Sequence, residues 1–78
     1  MLVKERAKVN IQIANGCTPL IVHTGRGNKE VALELIDLKA NVDLQDNEGW
    51  SALMVASNKQ YVEIVQCLVY TLVLFLIF

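Results

Sequence analysis

Residues 47–69 read NEGWSALMVASNKQYVEIVQCLV, and this stretch decides the fold. It divides into a turn, a short helix, a second turn and a longer helix. Ser51 is placed as an N-cap, because its hydroxyl can accept from an amide of the first helical turn that has no partner within the helix. Leu53 and Ala56 lie three apart and share one face of that helix. Asn58, Lys59 and Gln60 then interrupt the apolar pattern. From Val62 onward, Ile64, Val65, Leu68 and Val69 follow the i, i+1, i+4, i+5 spacing of a wide buried stripe, with Glu63 and Gln66 left for solvent. Two such helices cannot close a core alone and need another pair beside them.

That other pair lies upstream at a constant offset of 33 residues. Gly16 matches Gly49, Leu20 matches Leu53, Val22 matches Val55, Glu30 matches Glu63 and Leu35 matches Leu68. Thr18 with Ser51, Arg26 with Lys59, Val31 with Ile64 and Ile36 with Val69 keep their chemistry. Ala7, Val9 and Gln12 match Ala40, Val42 and Gln45 ahead of them. One offset therefore runs from the first residues to Val69. A turn and two helices repeating at about 33 residues is the ankyrin period.

The motifs agree with that period, and the chain resembles the ankyrin-repeat family. Thr18-Pro19-Leu20 is similar to the start of the family's T-P-L-H-x-A motif, and Ser51 to Ala56 is a weaker form. Gly16 and Gly49 stand at the glycine of the hairpin turn. Glu30-Val31-Ala32 and Glu63-Ile64-Val65 resemble the opening of the second helix. Ala7-Lys8-Val9-Asn10 and Ala40-Asn41-Val42-Asp43 resemble the A-D-V-N that begins each unit. The resemblance implies an all-α ankyrin-repeat solenoid of stacked helix-turn-helix units joined by β-hairpin-like turns, here with an apolar C-terminal extension. The boundaries that follow are 1–10 for the end of a preceding partial repeat, 11–40 and 41–69 for two repeats, and 70–78 for the tail.

Several positions depart from the family pattern. The motif histidine is Ile21 in one unit and Met54 in the other, and a small buried residue of the first helix is His23. The glycine after the first helix is kept as Gly27 but becomes Gln60. The glycine ending the second helix is replaced by Arg6 and Lys39. Such positions often need φ > 0, where a side chain is costly. The expectation is a retained fold of lowered stability.

Size and charge narrow the functional classes. Seventy-eight residues make one small domain near the lower limit for a stable core. A formal charge of −1, with seven scattered cations, argues against nucleic-acid binding and against electrostatic attraction to a membrane surface. No signal peptide opens the chain. Met1 to Asn10 look like the end of a second helix and a repeat junction, so the sequence starts in mid-repeat, as a fragment of a longer array would.

Within the first unit, Asn15-Gly16 marks the tip of an extended turn over Ile11 to Cys17. Thr18 with Pro19 starts its first helix, Gly25 to Asn28 end that helix, and the second runs from Lys29 to about Leu38. Asp46-Asn47-Glu48-Gly49 is the tip of the second unit. The repeat pattern stops at Tyr70, and residues 70–78, YTLVLFLIF, carry no charge. As a helix, Ile64 to Phe78 would run about 22 Å, against about 30 Å of bilayer hydrocarbon. That is too short to span a membrane. The open alternatives are a cap on the last repeat, a membrane-contacting segment, and an aggregation-prone exposed segment.

Catalytic and metal chemistry find little support. Cys17 sits beside a helix N-terminus, which can lower a thiol pKa. However, Cys17 and His23 fall at opposite ends of a short helix, with no third orienting group. His23 reads as a partly buried histidine in a misfitting helix, and Cys67 as a small core residue. The two cysteines suggest no disulfide framework and fit a reducing compartment. A single histidine and unspaced cysteines do not make a zinc site. Asp43, Asp46 and Glu48 lack the spacing of a calcium loop. Gly25-Arg26-Gly27 follows no buried strand, as a phosphate loop would. No enzyme activity, cofactor, metal or small-molecule substrate is expected.

A surface remains. In a stacked array the turn tips and the exposed edges of the first helices form a concave face, which ankyrin proteins use for partners. The resemblance places Ala14, Asn15, Cys17 and Arg26 on it from one unit, and Asn47, Glu48, Trp50, Asn58 and Lys59 from the other. Trp50 is an anchor type for an interface, or else packs against Cys17 or the neighbouring turn. The expected function is a protein–protein interaction module, an adaptor or scaffold, in an intracellular, cytoplasmic setting. The alternative is a membrane-associated ankyrin-repeat protein held by residues 70–78.

Overall fold

The computed structural model describes residues 9–77, and these contain four helices and no strand. They are α1 (Pro19–Gly25), α2 (Lys29–Asp37), α3 (Ala52–Asn58) and α4 (Val62–Ile77). The end of a preceding repeat expected over residues 1–10 lies outside the described residues, apart from Val9 and Asn10.

Each helix start has a local chemical cause. Thr18 Oγ1 accepts from the Ile21 amide at 3.2 Å, and Ser51 Oγ accepts from the Met54 amide at 3.3 Å. Both caps are extended, and Pro19 occupies the first position of α1. The ends of α1, α2 and α3 also share one device, in which a left-handed residue lets two amides return to the last turn. After α1 that residue is Gly27, and the Gly27 and Asn28 amides bond the Thr24 and His23 carbonyls. After α2 it is Lys39, followed by Ala40. After α3 it is Gln60, followed by Tyr61. Lys39 at φ 68° and Gln60 at φ 61° are the non-glycine residues that hold positive φ among the described residues. Two positions identified from missing glycines are therefore left-handed; Arg6 lies outside the described residues.

Packing follows the repeat. α1 lies on α2 and α3 on α4 within the units, while α1 meets α3 and α2 meets α4 between them. The core comprises Val9, Leu20, Ile21, Ala32, Leu35, Ile36, Ala40, Ala52, Ala56, Ile64 and Leu68. Fully buried alanines at 32, 52 and 56 let the helices approach closely. Thr24 is also fully buried, and its hydroxyl finds no hydrogen-bond partner among the described residues.

Two expectations need correction. The stripe on the second helix of unit two is narrower than its spacing implied: Ile64 and Leu68 are buried and Val65 is half-buried, but Val62 and Val69 are exposed. Ile36, the first-unit counterpart of Val69, is covered by the second unit, and among the described residues no further unit lies over Val69. The hairpin character of the turns is also reduced to one isolated bridge, between Gln45 and Ser51. The change in composition at Tyr70 is no helix boundary. With no proline, glycine or capping residue there to stop it, α4 continues for 16 residues.

Candidate interaction surface

The turn tips are built twice from the same bonds. In the first, the Ile13 amide reaches the Cys17 carbonyl at 3.0 Å and the Gly16 amide reaches the Ile13 carbonyl at 2.7 Å. In the second, the Asp46 amide reaches Trp50 at 2.9 Å and the Gly49 amide reaches Asp46 at 3.0 Å. Gly16 and Gly49 hold φ of 83° and 87° at equivalent places. Side chains complete each turn: Asn15 Oδ1 accepts from the Cys17 amide, and Asp46 Oδ1 accepts from the Glu48 and Trp50 amides.

The tips are then tied to one another. The Asn47 amide donates to the Asn15 carbonyl at 2.9 Å and its side chain donates to the Ala14 carbonyl at 3.1 Å. Gln12 Nε2 bridges the Gly16 and Gln45 carbonyls, at 2.8 and 3.0 Å. Further back, Asn10 Oδ1 accepts from the Asn41 amide at 2.7 Å. These bonds satisfy exposed backbone groups and set the tips in register. On the helical side, Lys59 Nζ donates to the Gly25 carbonyl at 2.8 Å, at the C-terminal end of α1 where carbonyls lack helical partners. Lys29 pairs with Glu63 at 3.0 Å, an exposed ion pair of little energetic weight.

The structure thus brings Ala14, Asn15, Cys17, Asn47, Glu48 and Trp50 onto two adjoining tips, all exposed except half-buried Cys17. Arg26, Asn58 and Lys59 are exposed at the C-terminal ends of α1 and α3. Arg26 and Lys59 are equivalent in sequence, yet the Lys59 ammonium is drawn to Gly25. Trp50 is 39% exposed, so much of its ring faces solvent.

Both thiols have raised pKa values. Burial pushes the Cys17 pKa up, and the nearby Asp46 carboxylate adds to this. Its thiol donates to Asp46 Oδ2 at 3.9 Å. Burial also raises Cys67, with Asp37 contributing. His23 is lowered by burial and then by Arg26, and its Nδ1 lies 3.0 Å from Asn28 Nδ2. Both cysteines are free. Among the described residues, no group of three or more histidine, cysteine, aspartate or glutamate side chains is arranged to hold a metal.

One feature escaped the sequence reading. Ile11 and Ile13 are exposed and, with Pro19, Val22 and His23, line an open apolar hollow of about 260 Å³ beside Cys17. The available signal was the pair Ile11 and Ile13, two apart in an extended segment and so on one side of it.

A family model described as ankyrin repeats, in three copies, matches residues 1–73. No curated protein and no solved structure matches the chain.

Proposed function

The chain belongs to the ankyrin-repeat family, and we propose that it is an adaptor-type interaction module that takes a protein partner on its turn tips and the exposed edges of α1 and α3. In this reading the two stacked units are a short solenoid segment and that face is its concave side. The observation that carries the proposal is the cross-tie of Asn47 to Ala14 and Asn15. It holds two tips at a fixed spacing while Trp50 and Glu48 remain exposed beside it. A rigid tip with an accessible tryptophan suits binding, because little ordering is needed when the partner arrives. Asn15, Cys17, Arg26, Asn58 and Lys59 flank it as polar contacts. The two free thiols support an intracellular, reducing setting.

The membrane alternative draws only on the exposed apolar end of α4. No helix among the described residues is long and apolar enough to cross a membrane.

Partner capture from cell extract, followed by binding of the purified partner, tests the proposal. Trp50→Ala should weaken binding at least about tenfold, as expected for a central anchor. Glu30→Ala on the opposite helical layer should leave it unchanged. Equal binding by Trp50→Ala and wild type would remove the tip face from consideration.

A further inference from the structure

Asparagine followed by glycine is a reactive pair in a peptide chain. The glycine nitrogen can reach the side-chain amide carbon, because no Cβ stands in the way of ring closure. Asn15 is the asparagine of this chain that precedes glycine; Asn10, Asn28, Asn41, Asn47 and Asn58 precede isoleucine, lysine, valine, glutamate and lysine. The offset of 33 supplies a comparison, since Gly49 follows Glu48 where Gly16 follows Asn15. Unit two thus builds the same turn, at φ 87° against 83°, without the reactive pair.

The folded tip opposes the reaction at both reacting groups. Asn15 is exposed, but Gly16 is buried against Asn47. The Gly16 amide, which would be the nucleophile, donates to the Ile13 carbonyl at 2.7 Å, so its proton is held. The Asn15 side-chain oxygen accepts from the Cys17 amide at 3.0 Å, which ties that side chain to the residue beyond Gly16. The backbone of the pair is clamped as well. The Asn15 carbonyl accepts from the Asn47 amide at 2.9 Å, and the Gly16 carbonyl accepts from Gln12 Nε2 at 2.8 Å. Ring closure must swing the peptide between the two residues and release these bonds.

We propose that Asn15–Gly16 is a spontaneous deamidation site, protected while the tips are locked and reactive when they open, whose isoaspartate product prevents relocking. On opening, the Gly16 nitrogen loses its proton to hydroxide and attacks the Asn15 side-chain carbon. A nitrogen–carbon bond forms, the bond from that carbon to the side-chain NH2 breaks, and ammonia leaves. One water then opens the cyclic imide at either carbonyl, giving aspartate or isoaspartate. The reaction consumes water and releases ammonia, with no change of oxidation state. Isoaspartate runs the main chain through the side-chain carbon and so adds one carbon between residues 15 and 16. With that insertion the tip cannot keep both the Ile13–Cys17 pairing and the Asn47 tie. The site is independent of the tip-face reading, because it needs no partner.

Peptide mapping by mass spectrometry of the full chain, aged in mildly alkaline buffer with and without urea, tests the proposal. Residue 15 should exchange NH2 for OH, at least about tenfold more slowly in native buffer than in urea, because only open tips react. Asn47→Ala and Gln12→Ala, each shown to be folded by far-UV circular dichroism, should speed the native reaction about threefold to tenfold through the bonds they remove. The isolated isoaspartate chain should melt below both the fresh chain and Asn15→Asp, which carries the charge without the extra carbon. No conversion at Asn15 in urea, equal rates in native buffer and urea, or a native rate unmoved by both variants would each overturn the proposal. So would an isoaspartate chain that melts with Asn15→Asp.

Discussion

Gly16 and Asn47 are interlocked across the two turn tips. A Cβ at Gly16 would stand 2.5 Å from Asn47 Oδ1 and 2.7 Å from the Asn47 amide nitrogen, both closer than real Cβ atoms approach. Asn47 cannot retreat cheaply, since its amide and side chain hold the Asn15 and Ala14 carbonyls. Gly49 has the same backbone, at φ +87°, but nothing lies within 4 Å of its would-be Cβ. The two glycines therefore separate backbone strain from close contact. Gly49→Ala should cost about 1–2 kcal/mol for the left-handed conformation alone. Gly16→Ala should cost about 3 kcal/mol, because it also disturbs the two Asn47 bonds at about 1 kcal/mol each. Urea unfolding of both variants checks this, and equal costs would show that the tips are not interlocked.

Lys39 and Gln60 stand where Gly27 stands in the remaining helix end. All three hold positive φ, and the same pair of returning amide bonds follows each. Lys39→Gly and Gln60→Gly should each stabilise the chain by about 0.5–1 kcal/mol, the left-handed penalty less the added chain entropy of glycine. Gly27→Ala should do the reverse, and more, because its Cβ would meet the Tyr61 ring at 3.2 Å. Thermal melts of the three variants test the ordering.

Much of this fold could be read in advance, and the limits are physical. Caps, turn glycines and left-handed helix ends are local, so Thr18, Ser51, Gly16, Gly49, Lys39 and Gln60 announce themselves in a few residues each. Coverage is not local. Val69 has the chemistry of Ile36, and only the presence or absence of a neighbouring unit decides that one is exposed and the other buried. The tip residues of the candidate site follow from the offset of 33. The cross-tie that aligns them does not, because Asn47 satisfies carbonyls of the other unit rather than its own. The place of Cys17 beside a helix N-terminus is local, while the burial that raises its pKa and the Asp46 carboxylate that adds to it come from the packed second unit.

The orphan hydroxyl of Thr24 makes a clean test of polar burial. The side chain is completely enclosed and its Oγ1 has no partner among the described residues. Leaving a hydroxyl desolvated and unbonded costs about 1–3 kcal/mol. Valine keeps the β-branched shape and removes the oxygen. Thr24→Val should raise stability by about 1 kcal/mol, whereas Thr24→Ser, which keeps the hydroxyl and loses the methyl, should lower it. Guanidinium unfolding at pH 7 decides, and destabilisation by Thr24→Val would mean that the hydroxyl is satisfied in solution.

His23 gives the stability a pH dependence of known sign. Its counterpart in the second unit is Ala56, a fully buried small residue, so α1 holds an imidazole where α3 holds a methyl. Burial, and then Arg26, lower the His23 pKa below the ordinary 6.5. Neutral Nδ1 can accept from Asn28 Nδ2, and protonation removes that acceptor. Below pH 6.5 the unfolded chain therefore binds more protons than the folded one, and stability falls with pH until the folded pKa is passed. Above pH 7 both states are neutral and the contribution is flat. The melting temperature should drop as the pH falls below about 7, and His23→Ala should lose that drop. If the drop persists in His23→Ala, it originates in another group, and the imidazole is not strained by its burial.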